Sequence, residues 1–194
     1  YYAQIAHIDN QIGRVLNAAP RLQAGPLAVV FTSDHGEMLG DHNLFRKTFA
    51  YEGSARIPLI VSLPEKAERD SCFDSTPAVL EDVYPTILDI AGVESPGPTG
   101  RIDGFSLMPA YGAGSDDTDS GTGSGAIGER AYVHGEHSAC YDAENAMQFL
   151  TDGQEKFIWN PVTGAEQLFD LRTDPNECRE LSCDPNYADR LSHW

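Results

Sequence analysis

Residues 28–58 read AVVFTSDHGEMLGDHNLFRKTFAYEGSARIP. A continuous apolar run, Leu27 to Thr32, opens this stretch and fits a strand buried on both faces of a sheet. An Asp34-His35 pair follows, then Asp41-His42, Lys47 and Tyr51-Glu52-Gly53. A site that holds a metal and an anion together needs these residue types. Ile57 to Leu63 is a second run of the buried-strand kind, closed by Pro64. Two such strands predict a parallel sheet with helices on both faces.

Upstream, Ile5, Ile8, Ile12, Val15 and Leu16 recur at near-helical spacing, which predicts a helix from the start of the chain to about Asn17. Ala24-Gly25-Pro26 then breaks it. The chain opens Tyr1-Tyr2-Ala3-Gln4 inside that amphipathic pattern, so upstream residues are expected to be missing. Downstream, residues 77–91 carry a helical pattern ending at Gly92, with a bend or restart expected at Pro85. Residues 111–128 are Gly-, Ser- and Asp-rich and predict a flexible excursion. Strands are expected at 131–134, 146–150 and 156–159, with Asp152-Gly153 as a hairpin turn, and a short strand, an Asp-Pro turn and a helical end complete the tail. The reading is an α/β portion over 1–110, the loop 111–128, and an antiparallel subdomain over 129–194.

Of 194 residues 30 are acidic and 13 basic, a net charge of −17. Phosphate backbones repel such a surface, which argues against nucleic acid as a partner. Ordinary solubility and adaptation to high salt both account for the acidity, and a lysine count of three (Lys47, Lys66, Lys156) favours the second. No apolar run approaches the roughly 20 residues that span a bilayer. No signal peptide is visible, but the opening residues leave the compartment unread. Cys72, Cys140, Cys178 and Cys183 have neither zinc-site nor disulfide-framework spacing and read as isolated thiols.

Asp34 offers a hard oxygen and His35 a neutral nitrogen to a divalent cation, and Gly36 permits a turn sharp enough for neighbouring side chains to converge. The plainer reading makes Asp34 a turn cap and His35 a packed neighbour. Lys47, among Phe45, Phe49 and Tyr51, can present a fixed charge to an anion, or can be a surface lysine lying over those rings. Glu52 and Arg56, four apart, suit an ion pair that positions the Lys47 loop. His42 reaches the site, or Asp41 merely caps a turn. In VHGEH, His134, Glu136 and His137 have metal-like composition without the helical spacing of a His-Glu-x-x-His site. An ordinary strand end and a substrate-facing His137 are the alternatives there.

Together these segments resemble the sulfatase family of the alkaline phosphatase superfamily. FTSDHGEMLGDH with KTFAYEGSARIP is similar to its second metal-and-sulfate segment, residues 82–93 and 103–110 to a later helix and loop, and residues 166–177 to its closing strand and turn. The resemblance implies an alkaline-phosphatase-like sheet with flanking helices and a small antiparallel C-terminal subdomain. It implies Asp34 and His35 as ligands of one divalent cation, usually Ca2+, with Mn2+ or Mg2+ as alternatives. Lys47 would contact the sulfate and steady the leaving oxygen, with His42 or His137 assisting.

The family's early Cys-x-Pro-x-Arg or Ser-x-Pro-x-Arg segment, source of the formylglycine nucleophile, has no counterpart here, nor does its early Asp pair. The chain is therefore expected to be the C-terminal part of a longer sulfatase acting on a sulfated small molecule or glycan, and inactive alone. The Asp-His version is also similar to phosphonate monoester and phosphodiester hydrolases of the superfamily. A non-catalytic anion- or carbohydrate-binding relative is the remaining reading.

Overall fold

The computed structural model describes residues 1–22, 25–63, 76–93, 102–108, 130–139 and 142–194. The chain divides into two compact units, Tyr1–Thr32 with Leu59–Cys72, and Ser33–Pro58 with Phe73–Trp194.

The first unit holds α1 (Tyr2–Leu22), β1 (Val29–Thr32) and β2 (Leu59–Ser62). Helix α1 runs five residues beyond the expected end near Asn17 and passes through Pro20. Arg21 sits in its last turn, where a cation complements the negative end of the helix dipole. None of its residues is buried, and Ile5, Ile8 and Val15 are exposed. The expectation of parallel strands buried on both faces is overturned. β1 pairs antiparallel with β2, with Phe31 opposite Ile60, and these two side chains are 39 % and 57 % exposed. A short apolar run carries no information on strand direction, and burial on both faces depends on what covers each face.

In the second unit, β3 (Val133–His137), β4 (Met147–Thr151), β5 (Glu155–Trp159) and β6 (Glu166–Asp170) form an antiparallel sheet in sequence order. The expected strands are all present, and β3 extends through the whole of VHGEH. The β4–β5 hairpin turns at Gly153, whose φ of 84° suits glycine, while Asp152 Oδ1 accepts the Gln154 and Glu155 amides, each at 2.7 Å. Cross-strand register places His137, Met147, Phe149, Lys156, Ile158, Gln167 and Phe169 on one sheet face. That face packs on Ala50 and Tyr51 of the segment after Lys47, and Ala50, Ile158 and Phe169 form its core.

A 3-10 turn, Leu80–Asp82, leads into α3 (Val83–Ala91). Pro85 therefore falls in the first turn of the helix, where a missing N–H costs nothing. Gly92, at φ 63°, ends the helix: its amide bonds Asp89 and the Val93 amide bonds Leu88. Asp82 is fully buried. Its carboxylate accepts the amides of Val79 and Phe105 at 2.8 Å each and a two-pronged contact from Arg130 at 2.6 and 2.7 Å. Thr86 continues this clamp, donating to the Asp82 carbonyl and accepting the Leu107 amide. Cys178 and Cys183 are free and exposed. Cys72, Cys140 and the 111–128 stretch lie outside the described residues.

These carboxylates predict the acid limb of stability. Hydrogen bonds from Arg172 hold Asp170 down at about 2. Burial pushes Asp82 up, but Arg130 and the two amides outweigh it and hold it below the ordinary value of 3.8. A depressed carboxyl stabilises the fold above its unfolded pKa, and that stability is lost as pH falls through the folded value. Glu177 has the opposite sign: burial raises it above 4.5 against the pull of Lys156, so its contribution favours acid and is lost as pH rises. Glu177 acts above 4.5, so between about pH 4 and pH 2 Asp82 and Asp170 set the slope and thermal midpoints are expected to fall steeply. A midpoint unchanged over that interval would show that neither aspartate is held down.

Candidate functional site

The segment between Ser33 and Pro58 is short of regular structure, and its backbone shows why. Leu39, His42, Asn43, Arg46 and Thr48 all have positive φ. Arg46 (71°) and Thr48 (92°) flank Lys47, and a β-branched residue in that region is a genuine outlier. Each such residue costs on the order of 1–3 kcal/mol and persists only where its surroundings hold it. Here the Met38 amide bonds the Arg46 carbonyl at 2.9 Å, and the Arg46 amide donates to the Glu37 carboxylate.

This folded-back loop returns Lys47 to His35. Lys47 Nζ lies 2.8 Å from His35 Nε2 and donates to it. His35 Nδ1 is 2.7 Å from the Gly36 carbonyl. That bond places the ring proton on Nδ1 and leaves a lone pair on Nε2, the form in which imidazole binds a metal or accepts a proton. Asp34 Oδ2 is 3.3 Å from the same Nε2, and Asp34 Oδ1 accepts the His35 amide at 3.1 Å. Asp34 is open to solvent and His35 partly so. The structure thus brings Asp34, His35 and Lys47 together at one point, an oxygen donor, a nitrogen donor and an ammonium.

Two backbone bonds support the turn after His35. The Gly36 amide bonds the Ser54 carbonyl at 2.8 Å, and the Glu37 amide bonds the Gly53 carbonyl at 2.7 Å. Both carbonyls belong to α2 (Glu52–Ala55). A Cβ on Gly36 would sit 2.2 Å from the Gly53 oxygen, a backbone atom with little freedom to move. Gly36→Ala is expected to cost about 1–3 kcal/mol in a denaturant titration, the usual range for overpacking. A cost below about 0.5 kcal/mol, the level of a surface substitution, would mean that the α2 contact does not hold the His35 turn.

His42 stacks on Tyr51, rings 4.1 Å apart and 11° from parallel. The Tyr51 hydroxyl donates to Gln167 on β6, and its ring meets Phe169 edge-on. His42 is thereby tied to the sheet-facing side of the segment. His137 lies opposite Met147, whose sulfur accepts the Ala50 amide, and His137 Nδ1 is buried without a hydrogen-bond partner. Strand alternation puts His134 and Glu136 on the exposed face, away from His137, so VHGEH does not converge as a cluster. Among the described residues no group of three or more His, Cys, Asp and Glu side chains is arranged for a metal.

The expected Glu52–Arg56 pair forms at 3.5 Å, but Glu52 has a closer partner in Lys156, at 2.5 Å. Sequence reasoning did not single out Lys156. Its signal is period-two alternation in EKFIW, which places Lys156 on the same face as Ile158.

Residues 1–93 match the family model described as Sulfatase. An arylsulfatase from Clostridium perfringens (strain 13 / Type A) is 36 % identical over 197 residues, covering 100 % of this chain and 37 % of that protein. A solved structure in complex with its substrate D-glucosamine-2-N,6-O-disulfate superposes with a TM-score of 0.73 at 25 % identity, over 100 % of this chain and 37 % of the other. The phosphonate monoester hydrolase of Agrobacterium radiobacter gives 0.72 at 25 % identity, over 100 % and 38 %. The chain spans about a third of the length of the curated relatives it matches. Among the described residues no helix is long and apolar enough to cross a membrane.

Proposed function

The chain belongs to the sulfatase family, and from that premise we propose that it contributes metal-binding and leaving-group residues to a sulfate-ester hydrolase. The observation that carries this is the convergence of Asp34, His35 and Lys47, with an imidazole lone pair between a carboxylate and an ammonium.

The donor set fits part of a divalent-cation site. Asp34 supplies carboxylate oxygen, and the Gly36 carbonyl fixes His35 in the tautomer with its lone pair on Nε2, which would ligate the cation once the Lys47 ammonium turns from it to the sulfate. Ca2+ suits the family and the exposed carboxylate, an imidazole beside that carboxylate is better matched to Mn2+, and Mg2+ would rest on the carboxylate alone. When bound, the cation supplies Lewis-acid stabilisation of charge on the ester oxygens. Lys47 then presents its ammonium to the sulfuryl and leaving oxygens, where charge builds as the bond breaks. The formylglycine typical of the family would be the nucleophile of the complete enzyme. His42 and His137 are the candidates for protonating the departing alcohol. His42 is held by Tyr51, and His137 has an uncommitted buried nitrogen.

The substrate proposed is a sulfated small molecule or glycan, as in the neighbour that binds a disulfated glucosamine. Phosphonate monoester hydrolysis is the second reading, favoured by the Asp34-His35 pair and by the Agrobacterium neighbour. The test is hydrolysis of 4-nitrophenyl sulfate and of a phenyl phosphonate ester by the protein that carries this chain, before and after chelation. Chelator-sensitive sulfate hydrolysis restored by Ca2+ or Mn2+ is the expected result. A preference for the phosphonate would install the second reading, and sulfate binding without turnover of either ester would leave an anion-binding relative.

A further inference from the structure

Lys156 is fully buried in a chain that carries three lysines. Its ammonium donates to the Ala50 carbonyl at 2.9 Å and to Glu52 Oε1 at 2.5 Å. It also lies 2.9 Å from Glu177 Oε1, as an ion pair. The other Glu177 oxygen accepts the Glu52 amide at 2.6 Å, satisfying the first N–H of α2. Glu177 is itself buried, at φ 55°, in the turn after β6. Removing an ammonium and a carboxylate from water costs several kcal/mol per ion, and a methionine would fill the site of Lys156 without that cost. What the ions add is a fixed point between strand β5, the turn at Glu177 and the start of α2.

That fixed point reaches both halves of the candidate site. Ala50 lies three residues after Lys47, beyond the left-handed Thr48. Glu52 opens α2, whose Gly53 and Ser54 carbonyls hold the Gly36 and Glu37 amides directly after His35. We propose that Glu52, Lys156 and Glu177 form a positioning network that sets His35 against Lys47 through α2. None of the three touches Asp34, His35 or Lys47 by the contacts above. The groups facing the network are Arg56, 3.5 Å from Glu52, and the Phe149 ring, 5.7 Å from the ammonium. The network's purpose rests on the sulfatase reading, but its geometry is measured without turnover, so the two fail separately.

The experiment compares Glu177→Gln and Lys156→Met with Arg130→Met, which breaks a buried ion pair elsewhere in the same unit. Amide exchange at Gly36 and Glu37 and the 15N resonances of the His35 ring are read at matched global stability, adjusted with urea. Expected for the two network variants is at least tenfold faster exchange at Gly36 and Glu37 and loss of the single-tautomer pattern of His35. Arg130→Met should keep that pattern and exchange those amides only by global unfolding. Lys156→Arg, which restores a cation, should recover part of the protection. Should Lys156→Met fail to fold, the isosteric Glu177→Gln decides. Exchange in Glu177→Gln no faster than in Arg130→Met, or an unchanged His35 ring pattern, would overturn the proposal.

Discussion

Lys47→Ala, made in the protein that carries this chain, is expected on the proposed sulfate-ester reading to lower kcat/KM on an aryl sulfate by about 100-fold or more, the usual loss when one preorganised charge donor is removed. Fold stability should stay within about 0.5 kcal/mol of the parent, because Lys47 is exposed. The split between rate and stability is the informative part. Lys47 packs into no core, yet its backbone is held between two left-handed residues and its ammonium rests on His35. On the proposed reading, this strained placement serves the position of the side chain. Lys47→Arg should recover little, since a planar fork does not match the single contact on Nε2. Turnover and KM both unchanged in the alanine variant would make Lys47 an ordinary surface lysine.

Arg130→Met should be strongly damaging, at about 3–5 kcal/mol. It leaves the fully buried Asp82 carboxylate without its guanidinium. Asp82 joins the start of α3 to Phe105, and Arg130 also donates to the Pro77 carbonyl and lies over the Phe105 ring. At this chain length each kcal/mol moves the thermal midpoint by about 2–4 °C, so a fall of about 10 °C is expected. Chemical and thermal unfolding of the variant measure it. A cost below about 1 kcal/mol would mean that the Val79 and Phe105 amides, each worth a hydrogen bond to a charged group, compensate the carboxylate without Arg130.

Features with a short reach were legible in the sequence. The apolar period of residues 5–16 made α1 a helix, Gly92 ended α3, and Asp152-Gly153 turned the β4–β5 hairpin. The antiparallel C-terminal sheet followed from short strands separated by turn residues. Asp34 and His35 are neighbours in sequence and Lys47 returns to them within one loop, so residue type and spacing made them candidates, while only the family resemblance gave them roles.

Tertiary structure decided whatever depends on distant partners. Apolar composition pointed to parallel strands buried on both faces, whereas β1 is antiparallel to β2 and Phe31 and Ile60 are exposed, because an apolar run is the same in a parallel and an antiparallel strand. The closer partner of Glu52 lies 104 residues away, and its amide bonds a carboxylate 125 residues away. Asp82 and Arg130 are 48 apart. Periodicity and turn chemistry are properties of adjacent residues and survive in the sequence alone. Which charges meet in a desolvated interior is fixed only when strands, turns and helix ends pack, because the interaction that selects the partner exists only after water has been excluded.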